Sequence, residues 1–185
     1  MNIYDMHPTN AGLPELVDKV HDRAHRMLTM VEIGSYAGQS MEIFASTKKV
    51  SRIICIDPWQ KGYDSTDPAS STDMVEVEKL FDARADKAKS LPVDVIKHKG
   101  TIDTFINSQQ FKYADDGVDF VYIDARHQYD SVKHDILLSL KRIKPKIAIC
   151  GHDFAQRWHE VIKAVEDTVG KPDAVFDDFS WLKFV

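Results

Sequence analysis

Five short apolar runs, each followed by a stretch with helical periodicity, constrain this chain more than any other feature. They are TMVEI near 29–33, RIICI at 52–56, VDVIK at 93–97, VDFVYI at 118–123 and KIAIC at 146–150. Most show little polar–apolar alternation, the pattern of strands covered on both faces. Val132, Ile136, Leu140 and Ile143 form one helical stripe between them. Val77, Leu80, Phe81, Ala88 and Leu91 form another, headed by Asp73 and Glu76 at capping-box spacing. An initial helix is predicted through Leu16, Val20, Ala24 and Met27. A last one is predicted over 156–169, through Trp158, Ile162, Val165 and Val169, with Gly170 and Pro172 as stops. Such alternation implies an α/β fold, a parallel sheet doubly wound with helices on both faces. In the tail, DAVFDDF and SWLKFV have no helix between them and should pair antiparallel at one edge.

The 185 residues suit a single domain, with a helical extension over 1–27 and a core over 28–185. No apolar run reaches the roughly 18 residues of a membrane span. The opening MNIYDMHPTN lacks the basic flank and apolar stretch of a secretory signal, so a soluble, cytoplasmic protein with no membrane partner is expected. A net charge of −5 argues against a nucleic-acid partner. The basic stretch KRIKPK reads instead as the end of a helix, where cations complement the dipole. Cys55 and Cys150 each end an apolar run and read as buried, reduced thiols. The polar loop QKGYDSTDPASST, 60–72, is long for a compact domain, so it is either functional or disordered.

In a doubly wound sheet, ligands bind beyond the carboxyl ends of the strands. VEIGSYAGQS, 31–40, puts Gly34 and Gly38 at such an end, where the main chain can approach a ligand and a helix start offers free N–H groups. A nicotinamide dinucleotide would call for G-x-G-x-x-G. Position 36 is Tyr, and Glu32 would face two phosphates. An acidic residue suits a ligand with ammonium and sulfonium charges better. The second strand ends in Asp57, placed to accept from two ribose hydroxyls, with Trp59 available to an adenine face. Individually, Asp57 also reads as a turn residue before Pro58, and Trp59 as a core or rim aromatic.

Taken with I-D-P-W, the E-I-G-S-Y-A-G stretch resembles the class I S-adenosylmethionine-dependent methyltransferases. VDFVYIDARHQYDSVKHDI and IAICGHDF are similar to a small-molecule O-methyltransferase branch with I-D-x-x-H-x-Y and G-H-D-Y/F motifs. The resemblance runs from about residue 28 to the end. It implies a Rossmann-like seven-stranded sheet in the order 3-2-1-4-5-7-6, with strand 7 antiparallel. Cys55 and Cys150 would then lie three strand spacings apart, roughly 14 Å, too far to bridge. It also implies S-adenosyl-L-methionine as cofactor, with Glu32, Gly34, Ser35 and Gly38 at its methionine end. Asp57 would hold the ribose, with Trp59, Thr101 and Asp124 also on the cofactor. Thr101 reads equally as a helix N-cap.

Methyl transfer to a hydroxyl needs alignment and something to take or weaken the acceptor's proton. Asp124, His127 and Asp153 are the candidate catalytic residues, with His127 as general base. Alternatively Asp124, His152 and Asp153 hold Mg²⁺, although a His-Asp pair is a poor oxygen set for that ion. The plain alternatives are N-capping by the two aspartates and a turn role for His152. His21 and His25, one helical turn apart, read as a solvated helix face. Tyr129 and Arg126 lie near the proposed site, Tyr129 reading equally as a core residue. The expected partner is a small-molecule methyl acceptor, its pocket either open or completed by a second subunit in a homodimer. The rival readings are a Rossmann-type NAD-dependent oxidoreductase, which lacks an evident Tyr-x-x-x-Lys pair here, and a non-catalytic cofactor-binding module.

Overall fold

A computed structural model describes residues 11–185. The segment 1–10, part of the expected extension, lies outside the described residues. The order is α1 (Gly12–Ala24), β1 (Leu28–Ile33), α2 (Gln39–Ser46), β2 (Val50–Asp57), α3 (Met74–Ala88) and β3 (Asp94–Lys99). Then come α4 (Ile102–Ile106), α5 (Lys112–Asp115), β4 (Phe120–Ile123), α6 (Tyr129–Leu138), β5 (Ala148–Gly151), α7 (His159–Val169), β6 (Ala174–Val175) and β7 (Trp181–Phe184). The seven strands form one sheet in the order β3-β2-β1-β4-β5-β7-β6, with β7 antiparallel to both neighbours. The strand order and the antiparallel tail are as the resemblance implied.

Alternation along the strands divides the core into two layers. Met30, Ile53, Cys55, Phe120, Tyr122, Cys150 and Leu182 pack with side chains of α1, α2 and α3. Val31, Ile54, Ile56, Val121, Ile149 and Trp181 pack with those of α4, α6 and α7 on the other face. Both cysteines are buried and free. Burial of Leu13, Leu16, Val17 and Val20 makes α1 part of the core.

Several boundaries differ from the sequence pattern for identifiable reasons. The first helix stops at Ala24, where His25 turns left-handed, so Met27 is exposed rather than part of the stripe. Only half of the expected capping box forms. Asp73 accepts from the Val75 N–H, while Glu76 pairs with Lys79 at 2.7 Å. The sixth helix widens into a π-helical turn over Ser139–Ile143 and ends at a left-handed Lys144, with Lys141 and Arg142 in its last turn. The last helix begins at His159 after a short 3₁₀ turn, Gln156–Trp158. Its buried face is Val161, Ala164 and Val165. Of the predicted stripe, Val165 is buried and Trp158 and Val169 pack partly buried against the core, while Val161 takes the place expected of Ile162.

Register positions the site. Ile33 of β1 is paired with Ile56 of β2 and with Ile123 of β4, which is paired with Gly151 of β5. The next residue on each strand is therefore Gly34, Asp57, Asp124 and His152, in one row along the carboxyl edge. Gly34 has φ +91, and a Cβ there would lie 2.0 Å from the Asp124 carbonyl oxygen. Gly34→Ala should therefore lower stability by about 2–4 kcal/mol. Urea unfolding checks this, and a loss within experimental error would mean that the row tolerates a side chain between β1 and β4.

Candidate active site

The row opens into a cavity of about 870 Å³. Gly34, Ser35, Asp57, Thr101, Asp124, His127, His152 and Asp153 line it. Three residues expected on the cofactor do not. Glu32 is wholly buried beneath the glycine loop, where Ser40 Oγ donates to its Oε1 at 2.5 Å. Gly38 caps α2 with φ +83, and a Cβ there would meet Phe81. Trp59 faces away from the cavity. Its indole packs on Phe81 at 5.0 Å, and Nε1 donates to the Tyr36 carbonyl at 2.8 Å. The indole therefore braces the glycine loop from behind instead of covering a base.

Asp57 accepts from the Tyr36 N–H at 2.9 Å and from the Trp59 N–H at 2.6 Å, one on each carboxylate oxygen. These bonds orient the carboxylate at the cavity wall, and its remaining lone pairs can accept hydroxyl donors. Thr101 caps α4 by accepting from the Thr104 N–H, and it also lines the cavity.

The polar centre is a chain of three side chains. Asp64, from the 60–72 loop, accepts from the His127 N–H at 2.9 Å, and its Oδ2 lies 2.7 Å from His127 Nδ1. His127 Nε2 lies 2.9 Å from Asp153 Oδ2. The imidazole stacks on Trp158, with ring centroids 3.9 Å apart. Burial disfavours the imidazolium, but the hydrogen bonds and charges of Asp153 and Asp64 prevail and raise His127 to about 9. This environment disfavours a general-base role for His127. An imidazole clasped by two carboxylates already carries its proton at neutral pH and has no free lone pair. It works as a cationic bolt between the loop and the end of β5.

Asp64 has no sequence signal beyond the length of its loop. It also accepts from the Thr66 N–H, the Thr66 hydroxyl and Gln128 Nε2, at 2.7, 2.6 and 2.6 Å. These donors overcome burial and hold its carboxyl down to about 2. The loop that sequence left as functional or disordered is thus pinned over the site at one buried carboxylate.

Asp124, His152 and Asp153 bring one ligand atom each within 4.8 Å of one another. Asp153 is left-handed, φ 59, and its second oxygen, Oδ1, is buried without a hydrogen bond. Neither aspartate caps a helix: α6 starts from Gln128 and α7 from Trp158. Two carboxylates and an imidazole fit a divalent cation, although the nitrogen donor suits Mn²⁺ or Zn²⁺ better than Mg²⁺. Tyr129 lies apart from this cluster. Its hydroxyl donates to Asp167 at 2.9 Å, and its N–H donates to Glu160, tying α6 to α7. The Arg126 guanidinium lies 4.8 Å over the Tyr63 ring.

Two predictions follow from these buried charges. Asp64→Ala should cost about 2–4 kcal/mol and raise deuterium exchange over 60–72. Unchanged exchange there would mean that other contacts hold the loop. Burial raises Glu32 to about 7, against the pull of the Ser35 and Ser40 hydroxyls. Between about pH 4.5 and 7 the folded protein keeps a proton that the unfolded chain releases, so Glu32 makes stability fall as pH rises through that window. Glu32→Gln should remove a decline on the order of 3 kcal/mol, read as the difference between the two unfolding profiles. Parallel profiles would show that Glu32 titrates normally.

Comparison with known proteins agrees with this geometry. Residues 31–154 match the family model described as a methyltransferase domain. No curated protein matches the sequence. Among solved structures, the chain is similar to an O-methyltransferase from Bacillus cereus in complex with SAH. The TM-score is 0.62 at 15% identity, covering 97% of this chain and 81% of that one. The O-methyltransferase NovP gives 0.60 at 12% identity, covering 94% and 78%. CalS11, a TDP-rhamnose 3'-O-methyltransferase in calicheamicin biosynthesis, gives 0.55 at 10% identity, covering 92% and 77%.

Proposed function

The chain belongs to the family of methyltransferase domains and is an S-adenosylmethionine-dependent enzyme, and we propose that it methylates a hydroxyl oxygen of a small molecule. The observation that carries this reading is the shared row. Asp57, suited to ribose hydroxyls, and the Asp124–His152–Asp153 cluster open into one cavity from adjacent strand ends. Asp57 would hold the cofactor's ribose, and the cluster at the ends of β4 and β5 would then stand where the methyl group is to be transferred. In-line displacement then needs the acceptor oxygen aligned on the far side and relieved of its proton.

Asp124 is the residue that would receive or share that proton. Burial would raise the Asp153 carboxyl, but hydrogen bonds and charges of His127 and His152 outweigh it and hold that carboxyl far below the usual carboxylate range. Asp153 gives Oδ2 to His127, while its Oδ1 lies 3.4 Å from His152 Nδ1 and 3.6 Å from the Arg157 guanidinium. His127 fixes the direction of Asp153 and, through Asp64, closes the loop that keeps water out. A divalent cation held by Asp124, His152 and Asp153 would supply a lowered acceptor pKa. The O-methyltransferases among the similar structures support an oxygen acceptor by likeness of fold.

The test is methyl-label transfer from S-adenosylmethionine to a panel of hydroxylated, amino and carbon acceptors, with and without chelator. Label on hydroxyl oxygen is expected. Chelator should lower turnover at least ~tenfold, with Mn²⁺ restoring it better than Mg²⁺. Label on nitrogen or carbon alone would overturn the oxygen assignment, and turnover indifferent to chelator would remove the metal. In a control titration, binding of NAD but not S-adenosylhomocysteine would favour the oxidoreductase alternative.

A further inference from the structure

Asp135 is out of place by every rule of helix packing. It lies on the buried face of α6, between Val132 and Ile136 in the stripe, and is 5% exposed. An apolar residue belongs there. Among the described residues no donor hydrogen-bonds its carboxylate. Two side chains lie nearby without donating to it: Arg126, whose guanidinium sits over Tyr63, and His134, whose Nε2 is 3.0 Å from Asp103 Oδ2. Burial raises its carboxyl to about 6, with Arg126 and His134 opposing and Asp103 adding to the rise. A buried carboxylate without donors is costly, and such groups call for an explanation. One is at hand, because Asp135 forms part of the cavity wall.

Its position along the cavity identifies the ligand group it meets. The His134–Asp103 contact pins α6 against α4, which follows β3. Asp135 therefore stands at the flank shared with Thr101 and Ile102, which also line the cavity. The cavity runs along the edge from β3, past Asp57 on β2 and Gly34 on β1, to the acid–imidazole cluster on β4 and β5. With the methyl group at the cluster and the ribose at Asp57, the base is left for the β3 end. Thr101 Oγ1 accepts from the Thr104 N–H there at 3.4 Å, which leaves its own O–H as a donor and one lone pair. Asp135 has the greater acceptor capacity to spare.

We propose that Asp135 reads the base of the cofactor, its carboxylate accepting a hydrogen bond from the exocyclic amine of adenine. The assignment rests on the cavity's being the S-adenosylmethionine site, as proposed above. An ionised carboxylate is acceptor-only. It therefore favours a 6-amino purine and repels a 6-oxo purine, whose carbonyl would face its oxygens. That makes Asp135 a specificity-determining residue for the cofactor and explains why the helix carries a charge where an apolar side chain would pack better.

The experiment is calorimetric titration of the full chain with S-adenosylhomocysteine and with S-inosylhomocysteine. The wild type should prefer the adenine compound roughly ten- to hundredfold. Asp135→Asn offers an amide that can accept from an amine or donate to a carbonyl. It should weaken the adenine compound about tenfold and bring the two ligands within about threefold of each other. Asp135→Leu should bind both weakly and without preference. The thermal midpoints of both ligand-free variants should equal or exceed that of the wild type, because an unpaired buried charge has been removed. An unchanged preference in Asp135→Asn overturns the proposal. So does a parallel loss of both ligands with a lowered midpoint, which would make Asp135 structural. Failure of the wild type to bind S-adenosylhomocysteine would overturn the cofactor site itself. Binding with an unaltered preference would overturn only the role of Asp135.

Discussion

The contact between the backbone of Gly34 and the carbonyl of Asp124 is the constraint on which the site depends. No side chain fits between them. Because that space is empty, β1 and β4 run side by side to their ends and then diverge, one into the glycine loop and the other towards α6. The adjacent ends of β2 and β5 fall in the same row through the register of the parallel ladders. Four chain segments, far apart in sequence, are thereby brought to one edge. Parallel strands joined by helices all point their carboxyl ends the same way, so such an edge is where polar side chains can gather without disturbing the two apolar layers beneath.

Around this edge the protein keeps an unusual concentration of buried charge. Asp64, His127 and Asp153 satisfy one another, and the low dielectric strengthens each bond in the chain. Two carboxylates flanking one imidazolium form a network that is stable as a unit and unsuited to exchanging its proton. Glu32 and Asp135 are the opposite case. Each is buried with too few donors and raised well above the usual carboxylate range. Groups held at such cost concentrate at functional sites, where a ligand supplies what the chain leaves out. The satisfied network holds the loop in place; Asp135 stands in the cavity wall, whereas Glu32 lies beneath the glycine loop and outside the cavity.

Much of the frame was readable from residue order. The strand-like runs, the helical stripes, the antiparallel tail and the reduced cysteines all depend on local periodicity. Their errors are local too: Met27 lost to a left-handed turn, Val161 buried on α7 where Ile162 was expected, and a capping box half made. The glycine loop, Asp57, Asp124, His152 and Asp153 were legible because they follow strands directly, and strand ends are what the fold converges. Trp59 and Glu32 misled. An aromatic two residues beyond a strand, or an acid one residue before its last, can turn to either side of the sheet edge, and periodicity does not say which. His127 lies at the cavity as expected, but its protonation depends on partners 63 and 26 residues away, which residue order does not show.

The sequence by itself determined the class of fold, the strand ends that carry polar residues, and a family resemblance that extends to the cofactor. These follow from hydrophobic periodicity and from residues adjacent along the chain, which act before any long-range contact forms. Only the tertiary structure decided which side chains meet. The docking of the 60–72 loop made Asp64 a neighbour of His127, and the packing of α6 on α4 turned Asp135 into a wall of the cavity. Both outcomes rest on burial and on hydrogen bonds between distant segments. A residue's charge state and role are set by what surrounds it, and the surroundings exist only once the chain has folded.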